Sequence, residues 1–189
     1  MSQLLALVFH PEVFLATNPP LFYLWAWLVG SCGASEAWLR GGSLVCGLVL
    51  VELTRRLALE LGLTHRCALL AAAFVAGAPL AIEYSTDFSH YAPVAVLITG
   101  SFLLLLRGLR TGRTGGWHAY FTCMVAGFYL HYVFLVVGLA HTLFVLWPCC
   151  LHRRGGGAAA LVGFATRGVS AVLSVLPWLP VSFFSVALC

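Results

Sequence analysis

The chain has 189 residues, of which 61% are hydrophobic and only 8% charged, with a net charge of +4 and a mean hydropathy of +0.98. Soluble domains carry roughly a quarter charged residues, so this composition excludes a water-soluble globular fold and requires lipid as solvent. The positive balance is all arginine, with no lysine anywhere, and it falls in short clusters between apolar runs; that is a membrane-topology pattern and excludes a nucleic-acid footprint.

Inside hydrocarbon every backbone amide must be satisfied within the protein, and the apolar runs have helical length without the alternation of barrel strands. The predicted fold is therefore all-α: a polytopic membrane helical bundle of about six transmembrane helices plus one interfacial helix. It is expected to form a single region over residues 1–189, with an outer-face loop and interfacial helix in 1–38 and the transmembrane helices in 39–189. Residues 1–9 lack the basic segment of a signal peptide, and His10-Pro11-Glu12 stands where a small-residue cleavage site would be.

The first arginine is Arg40, and before it comes the step Asn18-Pro19-Pro20. An aromatic amphipathic stretch follows at 21–29, with Phe22, Tyr23, Trp25 and Trp27; tryptophan and tyrosine favour the headgroup zone, so it suits an interfacial helix opened by Pro20, the alternative being a short spanning helix. The first clear span is 39–53, ending at Arg55-Arg56. A short polar loop with Glu60, Thr64 and His65 leads to Arg66 and a second span, 67–82. A third, 92–106, ends in Arg107, Arg110 and Arg113, where Gly108, Gly112, Gly115 and Gly116 suggest a turn. The run 117–147 is about twice the minimal span and has His131-Tyr132 at its middle, which predicts two helices joined by a tight bend. Arg153-Arg154 closes that pair, and a last span begins beyond Arg167. Cys46, Cys67 and Cys123 fall inside spans as small hydrophobes, and the adjacent Cys149-Cys150 lacks metal or redox spacing.

Positive residues gather on the cytoplasmic side of membrane proteins, which makes the arginine clusters a test of the spans. One crossing precedes Arg55, two separate Arg66 from Arg107, and two separate Arg113 from Arg153, so all of them fall on one face. Residues 1–38, the stretch 83–91, the bend at His131-Tyr132 and the C-terminus then face the periplasm or lumen. Glu12, Glu36, Glu83 and Asp87 lie on that side, so chemistry is expected there.

The loop 83–91 gathers Glu83, Tyr84, Ser85, Thr86, Asp87, Ser89, His90 and Tyr91 between two apolar helices. Ionisable groups at a membrane boundary are costly unless solvated or used, so the loop is either a catalytic segment or a polar turn in headgroup water. By parity His131 and Tyr132 share its compartment, where a neutral imidazole can donate to a carboxylate or a phosphate oxygen. Arg40 stands at the outer mouth of the first span, either binding an anionic headgroup or snorkelling.

The strings Asn18-Pro19-Pro20-Leu21-Phe22-Tyr23, Glu36-Ala37-Trp38-Leu39-Arg40, Glu83-Tyr84-Ser85-Thr86-Asp87 with Tyr91, and Tyr129-Leu130-His131-Tyr132 together resemble the GT-C membrane glycosyltransferases. The branch is that of the protein O-mannosyltransferases and the lipid A aminoarabinose transferase. The resemblance covers nearly the whole chain in the same order. It implies inverting transfer of a sugar from a polyprenyl-phosphate carrier to an acceptor at the outer face, in the bacterial inner membrane or the endoplasmic reticulum. The partners implied are that lipid-linked donor and membrane lipids. No cofactor is assigned, a divalent metal is left open, and no residue is assigned as a metal ligand.

Carried over by position, Asp87 matches the acidic residue of a Tyr-Ser-Gln-Glu-like turn and is the candidate catalytic residue, in acceptor binding or site organisation; a carboxylate there can act as general base. Arg40 matches an arginine at the head of its helix and is assigned a role near the donor phosphate. Asn18 stands where relatives often have histidine or lysine, and donates a hydrogen bond without charge. Tyr84, Tyr91, His131 and Tyr132 complete the expected substrate-binding set. Ser89 falls where relatives often have arginine or lysine. The family's catalytic Asp-Glu pair would lie upstream of the Pro-Pro step, where Glu12 is the single carboxylate and does not match its spacing. The resemblance therefore implies a glycosyltransferase fragment that is inactive alone. The alternatives are a non-catalytic membrane subunit or lipid-binding remnant and, with neither inverted repeats nor mid-membrane polar groups to support it, a small transporter.

Overall fold

The computed structural model of the protein describes residues 36–88, 90–111 and 114–151, together with the single positions Leu21 and Gly168. These residues form six helices and no strand: α1 (Glu36–Glu60), α2 (His65–Gly77), α3 (Pro79–Thr86), α4 (Tyr91–Thr111), α5 (Thr114–Leu130) and α6 (Val133–Leu151). The expected interfacial helix at 21–29 and the last span beyond Arg167 lie outside the described residues.

α1 runs without a break through 39–53 and past Arg55-Arg56 to Glu60. Glu52 sustains it there: its carboxylate accepts from Arg55 Nε and Nη2 at 2.8 and 2.7 Å and from Arg56 Nε at 2.7 Å. These pairs lie three and four residues apart, where helical side chains meet. Gly62 stops the helix. At φ 85° its N–H donates to Leu59 O and that of Leu63 to Ala58 O, the paired closing bonds for which a left-handed glycine is suited. The polar loop is thus only Leu61 to Thr64, and Thr64 Oγ1 caps α2 by accepting from Cys67 N at 3.4 Å.

The span expected at 67–82 is broken. Ala78 is extended (φ −71°, ψ 124°) because a residue preceding proline is driven out of the helical region, and Pro79 opens α3 at an angle of 59° to α2. By length and composition α4 can cross a membrane alone, α2 and α3 pass as one bent span, and Val133–Leu146 of α6 is a shorter apolar helix. The described residues therefore hold one clear span, or two if the bent pair counts as one, where the sequence predicted five.

α4 is the central helix, touching α1, α3, α5 and α6. It runs parallel to α1: Gly100 faces Leu53, and seven residues further along both chains Arg107 faces Glu60. α5 returns antiparallel, with Gly108 against Trp117 and Cys123 Sγ donating to Leu97 O at 3.4 Å. The glycines read as turn punctuation mostly sit inside helices. A Cβ on Gly108 would lie 3.3 to 3.4 Å from the Trp117 indole, and Gly116 backs onto Gly108, so lacking side chains there lets α4 and α5 approach.

The core lies between α4, α5 and α6, where Val94, Leu105, Trp117, Tyr120, Met124, Leu130, Phe134 and Val145 are buried together. By contrast Leu48, Phe74, Leu80, Val136 and Leu139 are exposed on the outer faces of α1, α2, α3 and α6. Outer faces this apolar on four of the six described helices match lipid rather than water. The bundle has two unlike ends. Arg55, Arg56, Arg107 and Arg110 gather with Glu52 and Glu60 toward one, and Tyr84, Asp87, His90, Tyr91 and His131 lie at the other.

Candidate functional site

The second end is built from two helix breaks. One is the α3–α4 connection, and it is shorter than the sequence suggested: Glu83, Tyr84, Ser85 and Thr86 are helical, as the last turn of α3, rather than loop. Their hydroxyls explain why. Ser85 Oγ donates to Ala81 O and Thr86 Oγ1 to Ile82 O and Glu83 O, so the polar side chains fold back on carbonyls of their own helix. Asp87 then ends α3 in an extended conformation, with its N–H donating to Glu83 O at 3.0 Å.

The other break is the bend between α5 and α6, which falls at His131-Tyr132 as the sequence predicted. His131 makes it. Its N–H still donates to Gly127 O at 2.8 Å, closing α5, while its Nδ1 accepts from Val133 N at 3.0 Å, capping α6. Because Nδ1 is an acceptor, the ring is neutral with its proton on Nε2.

The two breaks meet in a stack of four rings. His131 lies over His90 with centroids 5.2 Å apart and planes 19° from parallel; His90 is 4.2 Å from Tyr91, and Tyr91 is 4.8 Å from Tyr84. Tyr91 also reaches His131 at 6.3 Å. Burial holds both imidazoles below the usual histidine value of 6.5, and His90 is lowered further by the His131 charge that would sit beside it. The cluster is therefore a neutral, aromatic, hydrogen-bonding surface at neutral pH.

Of the residues expected to bind substrate, Tyr84, Tyr91 and His131 are brought together here. Tyr132 shares the bend and is half-buried, outside the stack. Asp87 is exposed, one turn from Tyr84 in sequence but not part of the ring cluster. Arg40 is exposed in the second turn of α1. The parallel register of α1 and α4 brings it to the same end, about 10 Å along the axis beyond Gly47, which packs on Ser85. Asn18 lies outside the described residues. No group of three or more His, Cys, Asp or Glu side chains among the described residues is placed to hold a metal ion.

Two features were not assigned from the sequence. His90 was read only as part of a polar loop, yet it is the ring that links both breaks. His141 was passed over in an apolar run; it is buried at the centre of the bundle, where Tyr120 Oη lies 3.1 Å from its Nδ1 and Phe102 covers its ring at 5.3 Å. An ionisable residue inside a span was the available signal.

Comparison with curated proteins and with solved structures gives no significant match. One family model does match, over residues 17–182, and its description is dolichyl-phosphate-mannose-protein mannosyltransferase. The match takes in every described helix and both breaks that form the ring cluster, and on it the chain belongs to that family of GT-C membrane glycosyltransferases.

Proposed function

We propose that the ring-lined end is the outer-face site of a glycosyltransferase that takes its sugar from a polyprenyl-phosphate carrier. The observation that carries this reading is the meeting of the α3–α4 and α5–α6 breaks in one aromatic cluster, at the end of the bundle remote from the arginine pairs 55-56 and 107-110. Arginine-rich ends belong to the cytoplasm, so the cluster belongs to the periplasm or lumen, and the chain is multi-pass. A lipid-linked sugar has to be held where an apolar groove meets water, and exposed apolar faces run up to this end.

In this reading Arg40 and Asn18 attend the donor phosphate, since a guanidinium makes charge-assisted hydrogen bonds to phosphate oxygens. Tyr84, Tyr91, His131 and Tyr132 flank the sugar or the acceptor, and aromatic faces suit the C–H face of a pyranose. Asp87 organises the acceptor side. It is the single aspartate in the sequence, which contains no adjacent Asp-Glu pair. The chain alone therefore binds donor without transferring its sugar.

The test is retention of a polyprenyl-phosphate mannose by the chain in lipid nanodiscs, read by native mass spectrometry against the corresponding polyprenol, together with a transfer assay using a hydroxyl-bearing peptide acceptor. Donor retention with no transfer is expected. Equal retention of donor and polyprenol would remove the donor site, and turnover would remove the claim of inactivity. A lipid-binding subunit without catalysis is the second reading, favoured by the position of Asp87 outside the cluster; it retains polyprenyl phosphate with or without the sugar equally well.

A further inference from the structure

At the arginine-rich end the carboxylates are shared. Glu60, the last residue of α1, reaches α4, where its Oε1 accepts from Arg110 Nη1 at 3.0 Å and its Oε2 from Arg107 Nε at 3.3 Å. One anion thus holds two guanidiniums side by side and leaves them with a surplus positive charge. The anion is inside and the cations outside: the Glu60 side chain is 14% exposed, against 45% for Arg107 and 74% for Arg110. Glu52 is divided in the same way between Arg55 and Arg56, and Arg66 is exposed in the first turn of α2. Among the described residues this end therefore has five arginines against two carboxylates.

The position of the pair along α4 decides what it meets. Arg107 follows directly on the apolar run 102–106, so the two guanidiniums stand where α4 leaves hydrocarbon. Beside Glu60, Leu61 and Leu63 of the α1–α2 turn are exposed and offer an apolar surface at the same level. Guanidiniums held by a common carboxylate keep their remaining N–H groups close enough to converge on one phosphate. The chemistry required is a phosphate at headgroup depth that carries an acyl chain.

We infer that Arg107 and Arg110, set side by side by Glu60, bind the headgroup phosphate of an anionic phospholipid. The site is separate from the ring cluster and does not depend on the transfer reaction.

The experiment uses the whole chain in nanodiscs containing phosphatidylglycerol and phosphatidylcholine, with the lipids retained on release counted by native mass spectrometry. The chain should retain phosphatidylglycerol preferentially. Arg110→Gln, at the more exposed guanidinium, should weaken the preference several-fold, and Arg107→Gln with Arg110→Gln should reduce it on the order of tenfold. Circular dichroism confirms that each variant keeps its helical content, and the single variant carries the test if the double one does not fold. An excess of inorganic phosphate should leave the bound lipid in place. Equal retention of both lipids by the unsubstituted chain, or an undiminished preference in a folded variant, overturns the site; displacement by inorganic phosphate overturns the headgroup assignment.

Discussion

The imidazole of His131 stacks on that of His90 at 5.2 Å, and this contact joins the loop before α4 to the bend before α6. Both rings are held below the ordinary histidine value, chiefly by burial, so the unfolded chain binds more protons than the folded one as the pH drops below about 6.5. Stability from this cluster is full above that value and declines as the pH falls toward the depressed folded values. Protonation of His131 Nδ1 also removes the acceptor for Val133 N. Hydrogen-exchange protection at Phe134 and Leu135, whose amides donate to the carbonyls of the bend, should fall on the order of tenfold between about pH 7 and pH 5, after correction for intrinsic rates. His131→Gln, which cannot titrate, should flatten the profile; a flat profile in the unsubstituted chain would refute the coupling.

Close packing at Gly127 makes a second prediction. A Cβ there would fall inside the ring of Phe134, which is fully buried where α5 meets α6. The aromatic ring cannot give way as a flexible chain end would, so Gly127→Ala should destabilise the α5–α6 hairpin by about 1 to 3 kcal/mol. Thermal unfolding in detergent reads this directly. Gly41→Ala is the control, because no described residue lies within 4 Å of its added methyl, and it should match or exceed the original stability.

The legible part of this architecture was the part set by one-dimensional pattern. Apolar length located α4, and a polar pair in the middle of a double-length run located the bend at His131-Tyr132. The arginine clusters 55-56 and 107-110 lie toward one end of the bundle, where Glu60 of α1 pairs with Arg107 and Arg110 of α4. Features set by a single residue's backbone were read less well. Pro79 stands inside an apolar run, and its effect on Ala78 bends the single span that the run predicts. The stretch 83–86 was read as loop from its polarity, whereas its hydroxyls satisfy helix carbonyls. The His90–His131 stack depends on the antiparallel register of α4 and α5, which no local signal carries.

The Tyr120–His141 pair lies at the centre of the α4–α5–α6 packing, and its 3.1 Å hydrogen bond is a buried side-chain link between α5 and α6. Tyr120→Phe keeps the ring and removes the hydroxyl, leaving His141 Nδ1 without that partner in an apolar setting. A loss of about 1 kcal/mol is expected, the scale of interhelical hydrogen bonds in membrane proteins. Adding His141→Phe to it should recover part of the loss, because no buried polar atom is then stranded. A double variant less stable than the sum of both single ones would show that the pair does more than satisfy its own atoms.

Arg40 and Asp87 share an end of the bundle but are assigned to opposite sides of the transfer, and donor binding separates them. Arg40→Gln removes the charge proposed to meet the carrier phosphate. Since a hydrogen bond to a charged group contributes about 1.5 to 3 kcal/mol, retention of polyprenyl-phosphate mannose should weaken roughly tenfold or more. Asp87→Asn removes a carboxylate from an exposed helix end without touching that phosphate, and relief of its repulsion toward an anionic donor should leave retention equal or slightly higher. The same nanodisc measurement reads both. A loss confined to Asp87→Asn would reverse the two assignments, and equal losses from both would mean that Asp87 also contacts the donor, directly or through the α3 terminus it closes.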